Sequence, residues 1–172
     1  GRGVKAITIW QPWASLIDIG AKPYEFRGWR PPRSAIGQRI VNHASARSVK
    51  RSEVLQLIRH LESVHKDIAA QTCLHPHLAL PFLRKVADGE VELPTGAGLG
   101  SFTLGEPVDG STIAKGVGLR RVNDSDRDRH ANWGWPVEDY APFSEPIEVR
   151  GQQGLWNWPS AQNFADLLAA VL

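Results

Sequence analysis

Apolar and polar positions alternate along 4–10 (VKAITIW), with β-branched residues at Val4, Ile7, Thr8 and Ile9, the pattern of a strand. The period then changes. Trp13, Leu16 and Ile17 recur at helical spacing behind Gln11-Pro12, a favourable helix start because proline has no N–H to leave unpaired. Gly20 predicts the stop, since it enters the left-handed conformation without a Cβ clash. An extended run is expected over 23–29, followed by a stiff basic loop, RPPR, at 30–33. A second strand is predicted at 38–44 (QRIVNHA). Ser52 can cap a helix with Val54, Leu55, Ile58, Leu61, Val64 and Ile68 on one face.

Pro76 and Pro81 are expected to interrupt the next stretch, leaving a short helical turn over 83–86. A mostly apolar strand is predicted at 97–108, with glycines marking bends. Further strands are expected at 115–122, 135–140 and 146–150, and another begins at Gly154. The segment 123–130 (NDSDRDRH) reads as an exposed loop. Ser160 can cap a final amphipathic helix carrying Phe164, Leu167, Leu168, Val171 and Leu172. About six strands among three or four helices predict an α+β fold around a small mixed barrel or curled sheet, in one domain over residues 1–172.

Composition narrows the class little further. With 42% hydrophobic and 22% charged residues the chain has an ordinary globular composition. No apolar run approaches the roughly 20 residues that span a bilayer, so no membrane association is expected. A single cysteine, Cys73, excludes an intrachain disulfide and a four-thiolate zinc site, and a reducing cytoplasm is the expected compartment. The C-x-H-x-H run at Cys73, His75 and His77 fits the usual zinc spacings poorly, and no cofactor or metal is expected.

Charge distribution changes the picture more. Net charge is only +2, yet 22–51 holds eight cations against a single acid, Glu25. The region 88–148 reverses this, with twelve acids against five cations. Such asymmetry suggests an anionic ligand for the basic part, or two charged regions that neutralise each other on folding.

The densest chemistry follows Gly20. In GAKPYEFR, alternation along an extended chain makes Glu25 and Arg27 neighbours and turns Tyr24 and Phe26 to the other face. Lys22, at the turn, can swing to either side. Arg27 could hold a phosphate bidentately with Lys22 as a second charge, while Glu25 could orient a cation, accept from a base edge or act as a general base. Tyr24 and Trp29 are the better stacking candidates, because Trp10 and Trp13 flank a helix start where burial is expected. Arg30 extends the basic stretch. Beyond the second strand, Ser45 could contact a phosphate, Arg47 and Lys50 could extend an anion path, and His43 could move protons or be a buried structural histidine. Trp135, Trp156 and Trp158 are expected to be structural.

TIWQPWASLI followed by GAKPYEFRGW, with its G-x-K-x-x-E-x-R pattern, resembles the ASCH domain, named for homology to activating signal cointegrator. QRIVNHASAR, LPTGAGLGSFTLGEPVD and WGWPVEDYAPFSEPIEVRGQQGLWNW resemble later segments of that family, in the family's order. The resemblance implies a PUA-like β-barrel with a cleft lined by the first helix and by Lys22, Glu25 and Arg27. Beyond the minimal domain the chain carries an inserted helical region at about 48–88. Superfamily members bind RNA or other nucleic acids, and some ASCH members are hydrolases. Amidohydrolase-type members carry a nucleophilic Thr three residues after the Lys; Glu25 stands there, so that mechanism does not transfer. The expected function is binding of nucleic acid (RNA or single-stranded DNA) or a nucleotide through Lys22, Tyr24, Glu25, Arg27, Trp29, Arg30, Ser45, Arg47 and Lys50. The alternative is a hydrolase in the same cleft, most simply a ribonuclease, using Lys22, Glu25 and His43. A third alternative is a protein-interaction adaptor working through the helical insert.

Overall fold

The computed structural model describes residues 3–125 and 128–159, and the helix expected after Ser160 lies outside them. Seven strands form one mixed sheet: β1 (Lys5–Ile9), β2 (Tyr24–Arg27), β3 (Arg39–Ala44), β4 (Ala97–Leu104), β5 (Val108–Asp109), β6 (Trp133–Glu148) and β7 (Leu155–Asn157). The order is β2-β6-β4-β3-β1-β7, with β5 beside β6, and only the β1–β3 pair is parallel. The sheet curls into a half-barrel among five α-helices of the described residues: α1 (Trp13–Asp18), α2 (Arg51–Leu61), α3 (Lys66–Ala69), α4 (Pro76–Ala87) and α5 (Gly110–Gly116).

Strand alternation assigns the two faces. Ile7 and Ile9 of β1, with Ile40 and Ala44 of β3, pack against α1 through Ala14 and Ile17 and meet Phe102 and Trp135. Ala6 and Val41 look the other way, onto Phe143, Trp156 and Trp158. The helical stretch after β3 makes a separate core on the far side of α1, where Leu16 and Ala21 meet Val54, Leu57, Ile58, Leu74 and Leu83. Two-sided burial of α1 fixes the turn that follows it. Gly20 has φ of 80°, and the N–H groups of Ala21 and Lys22 both donate to the Leu16 carbonyl, which launches β2.

Several expectations are corrected. The helix from Arg51 stops at Leu61; Val64 is almost fully exposed and Ile68 belongs to α3. The proline-interrupted stretch is instead one helix, α4. Pro76 occupies its first turn, and Pro81 lies inside it on the solvent side, where water can satisfy the carbonyl left unpaired at His77. The strand expected at 97–108 is two, β4 and β5, separated at 105–107.

No strand forms at 115–122. Lys115 lies in the last turn of α5, whose start is capped by Asp109 accepting from the Ser111 N–H. The two strands expected at 135–140 and 146–150 are one, β6, sixteen residues long. Its register against β4 slips between Gly98 and Gly100 and between Ser101 and Thr103. Asp139 takes a left-handed φ of 47°, so bends absorb prolines that would break a flat strand.

Candidate functional site

The ends of the curled sheet meet at a seam that no backbone ladder closes. Strand β2 is terminal in the sheet and β1 is next to the other terminus, yet Arg27 Nη2 of β2 donates to the Thr8 carbonyl of β1 at 3.0 Å. A side chain therefore bridges the gap. The same guanidinium donates through Nε to Glu25 Oε1 at 3.1 Å, confirming that these two residues share a face. Tyr24 and Phe26 lie on the other, with ring centroids 6.0 Å apart.

Glu25 is buried, and its second oxygen, Oε2, is sealed from solvent with no hydrogen-bond partner. Burial pushes its pKa up; the nearby Arg27 and Lys22 charges oppose this. An unpaired carboxylate oxygen in such a place is costly, and it is chemically an open acceptor.

Lys22 swings to the Phe26 side. Its Nζ lies 5.2 Å from the ring centroids of both Trp13 and Phe26, with no exposed side-chain surface. Its partner is Asp124, at 2.5 Å. This corrects the reading of 123–130 as wholly exposed: Asn123 is buried, its N–H donates to the Gln71 carbonyl, and Asp124 reaches in over Lys22. A lysine enclosed by two aromatic rings requires a counter-charge, but nothing in the spacing of NDSDRDRH shows which acid supplies it.

The remaining candidates separate into neighbouring groups. Tyr24 lines an apolar groove of about 600 Å³ between β2, the α3–α4 region and α5, together with Cys73, His75, Ile113 and Val117. Burial raises the Cys73 thiol to about 11, which keeps it protonated and weakly nucleophilic at neutral pH. Trp29 is 41% exposed and stands edge-on to Trp135, whose indole N–H donates to the Trp29 carbonyl. Arg30 lies over the Trp133 ring at 4.8 Å and 3.9 Å from Glu106. Ser45 accepts from the Arg47 N–H, and Arg47 is paired with Glu53. Lys50 is exposed, and its N–H donates to Glu53. Much of the basic excess at 22–51 is therefore neutralised locally.

His43 belongs to a closed network. The Val149 carbonyl can only accept, so Nε2 carries the proton and donates at 2.6 Å. With burial lowering its pKa, the ring is neutral, and Nδ1 accepts from the Thr8 hydroxyl, which itself accepts from Trp156 Nε1. Gly151 runs so close that a Cβ there would lie 2.6 Å from the imidazole. Both ring nitrogens are engaged, leaving no free lone pair for substrate. Trp135, Trp156 and Trp158 are buried, as expected. Trp10 is not: 58% of it is exposed, against the expectation that it would be packed.

Among the described residues no group of His, Cys, Asp and Glu could hold a metal, and no helix is long and apolar enough to cross a membrane.

A curled mixed sheet with helices on its faces and a charged seam defines an α+β architecture. The fold is that of ASCH domain structures. The ASCH protein of Zymomonas mobilis matches with a TM-score of 0.52 and 16% identity, covering 100% of this chain and 98% of that one. A serine-to-alanine variant of it matches at 0.51 over 98% and 96%, and a tyrosine-to-phenylalanine variant at 0.52 over 99% and 100%, both at 16% identity. No protein-family model and no curated protein matches the chain.

Proposed function

We propose that the protein binds single-stranded nucleic acid, or a nucleotide from it, at the seam between β2 and β1. The observation that carries this reading is the buried Glu25 with Oε2 unpaired beside Arg27, whose side chain is 24% exposed. A base edge is rich in N–H donors, and one of them would satisfy Oε2 once the Arg27 bridge across the seam opens, since that oxygen is closed to solvent in the free protein. The N–H groups of Arg27 that Glu25 and Thr8 leave free would take the adjacent phosphate. Ser45, Arg47 and Lys50, at the exit of β3, extend a polar and cationic path from the seam. The ASCH-like fold supports the same reading at the level of architecture only.

Titration of labelled RNA and DNA oligomers at several salt concentrations tests it. Affinity should fall as salt rises, because phosphate contacts release counterions. Arg27→Ala should weaken binding about tenfold, the worth of a charge-assisted bond. Absence of binding at low salt, or affinity untouched by Arg27→Ala, would sink the proposal.

One observation favours a second reading. Burial raises the Glu25 pKa, the direction a general acid–base residue needs for work near neutral pH. In a hydrolase using this seam Glu25 would move the proton and Arg27 would position the phosphate. Incubation with RNA and with acylated nucleosides separates the two: turnover that survives purification and vanishes in Glu25→Gln means an enzyme, and binding without turnover means a module.

A further inference from the structure

Trp10 is a large aromatic residue that the fold leaves uncovered, and its mounting is rigid. The Ile9 carbonyl before it accepts from the Ser45 N–H, and its own carbonyl accepts from Ala14. Gln11 after it is buried, with Nε2 donating to Ser15 Oγ and the Pro94 carbonyl while Oε1 accepts from the Ser15 N–H. The backbone that carries the indole is therefore tied on both sides.

The ring itself is backed by one side chain. The Arg47 guanidinium lies 4.3 Å from its centroid. Glu53 holds that guanidinium through both terminal nitrogens, and is itself held by the Lys50 N–H at the start of α2. Arg47 in turn lowers the Glu53 pKa, keeping the clamp anionic. A hollow of about 150 Å³ opens between Trp10, Trp13, Arg47 and Leu57. The indole is thus a π-surface held against a cation and still 58% exposed.

Its position links it to the seam. Trp10 follows Thr8, the acceptor of Arg27, by two residues, a span of at most about 7 Å. A strand whose phosphate rests on Arg27 would carry a neighbouring base past this ring. The Lys50 side chain is exposed with no ion pair among the described residues, and its backbone N–H bonds the Glu53 of the same clamp. A ligand that offers both a π-face and an anion suits this arrangement, and a nucleotide unit of single-stranded nucleic acid is such a ligand.

We infer that Trp10, backed by Arg47 and Glu53, is a base-stacking platform that extends the seam site by one nucleotide. The inference rests on the nucleic-acid reading above and goes beyond it in naming a second contact of a different chemical kind. Stacking is sequence-tolerant and releases no counterions, so it leaves a signature that phosphate contacts do not.

The experiment is anisotropy titration of wild-type protein, Trp10→Ala and Trp10→Phe with a single-stranded oligonucleotide and with an abasic chain of equal length, across a salt series. The expected result is about tenfold weaker oligonucleotide binding by Trp10→Ala, with the salt slope unchanged, most of the affinity restored in Trp10→Phe, and abasic binding equal in wild type and Trp10→Ala. Wild-type affinity in Trp10→Ala overturns the platform and leaves the seam reading standing. Equal binding of abasic and normal chains by wild type overturns it too. If wild type binds neither chain, the seam reading falls and the platform with it. Because the indole is mostly exposed, unchanged melting of both variants confirms that binding is what has been altered.

Discussion

Two buried polar networks meet at Thr8, and they differ in one respect. On one side the hydroxyl joins Trp156, His43 and the Val149 carbonyl into a chain in which each donor and acceptor is used. On the other, the Thr8 carbonyl receives Arg27, which leads to Glu25 and an oxygen with no partner. The first network is neutral and complete. The second is charged and one bond short. Complete networks hold a fold in place, since every member is worth more satisfied than exposed. A network short of one bond costs stability, and the proposed binding role would account for keeping it. His43 and Glu25 look alike as candidates in the sequence; the structure assigns them opposite characters.

The largest expected effect strikes the charged side. Lys22→Met keeps the stem between Trp13 and Phe26 but leaves Asp124 without its cation. We expect a loss of about 3 kcal/mol in urea unfolding, the scale of breaking a buried pair from one end. Adding Asp124→Asn should recover more than half of it, since both charges are then gone. If Lys22→Met is neutral, the pair is a surface contact and the distinction between the two networks weakens.

A middle-sized effect should come from the complete side. Thr8→Val keeps the shape and the carbonyl bonded to Arg27, yet removes the hydroxyl shared by His43 and Trp156. The expected cost is about 2 kcal/mol, for two ring nitrogens that lose their partner. Oligonucleotide affinity should not move. A Thr8→Val variant that folds normally yet fails to bind would mean that the two networks act as one.

How much of this the sequence discloses depends on the range of the interaction. Period-two alternation placed β1 and β3, and the 3-4 spacing of Trp13, Leu16 and Ile17 placed α1, because those patterns are local. The neighbourhood of Glu25 and Arg27 was legible for the same reason: residues two apart on a strand share a face. Asp124 was not, as it meets Lys22 across 102 positions and its surroundings read as solvent. Trp10 was misjudged through a sound average, since tryptophan beside a helix start is usually packed. Here α1 buries Leu16 and Ile17 instead, and the Arg47 guanidinium lies over the indole. Prolines misled twice for one physical reason. Pro81 faces solvent and Pro142 lies opposite a slip in the ladder, so the missing N–H costs less at either place than a central position would demand.

The smallest effect on stability is the most discriminating one. Glu25→Gln keeps the shape, leaves Arg27 its bond to Thr8, and removes the titration. Burial raises the Glu25 pKa above its ordinary 4.5, so the wild-type residue contributes stability that is full below about pH 4.5. That contribution is lost as pH rises through the raised value, while the glutamine variant does not titrate. The urea midpoint of wild type relative to Glu25→Gln should therefore be highest in acid and decline towards neutral pH, with a difference at pH 7 of about 1 kcal/mol or less. The reverse trend, wild type gaining on the variant as pH rises, would show that the Arg27 pair outweighs burial. Glu25 would then be an ordinary ion-pair residue, its unpaired oxygen would lose its meaning as an acceptor, and the seam would resemble the His43 network after all.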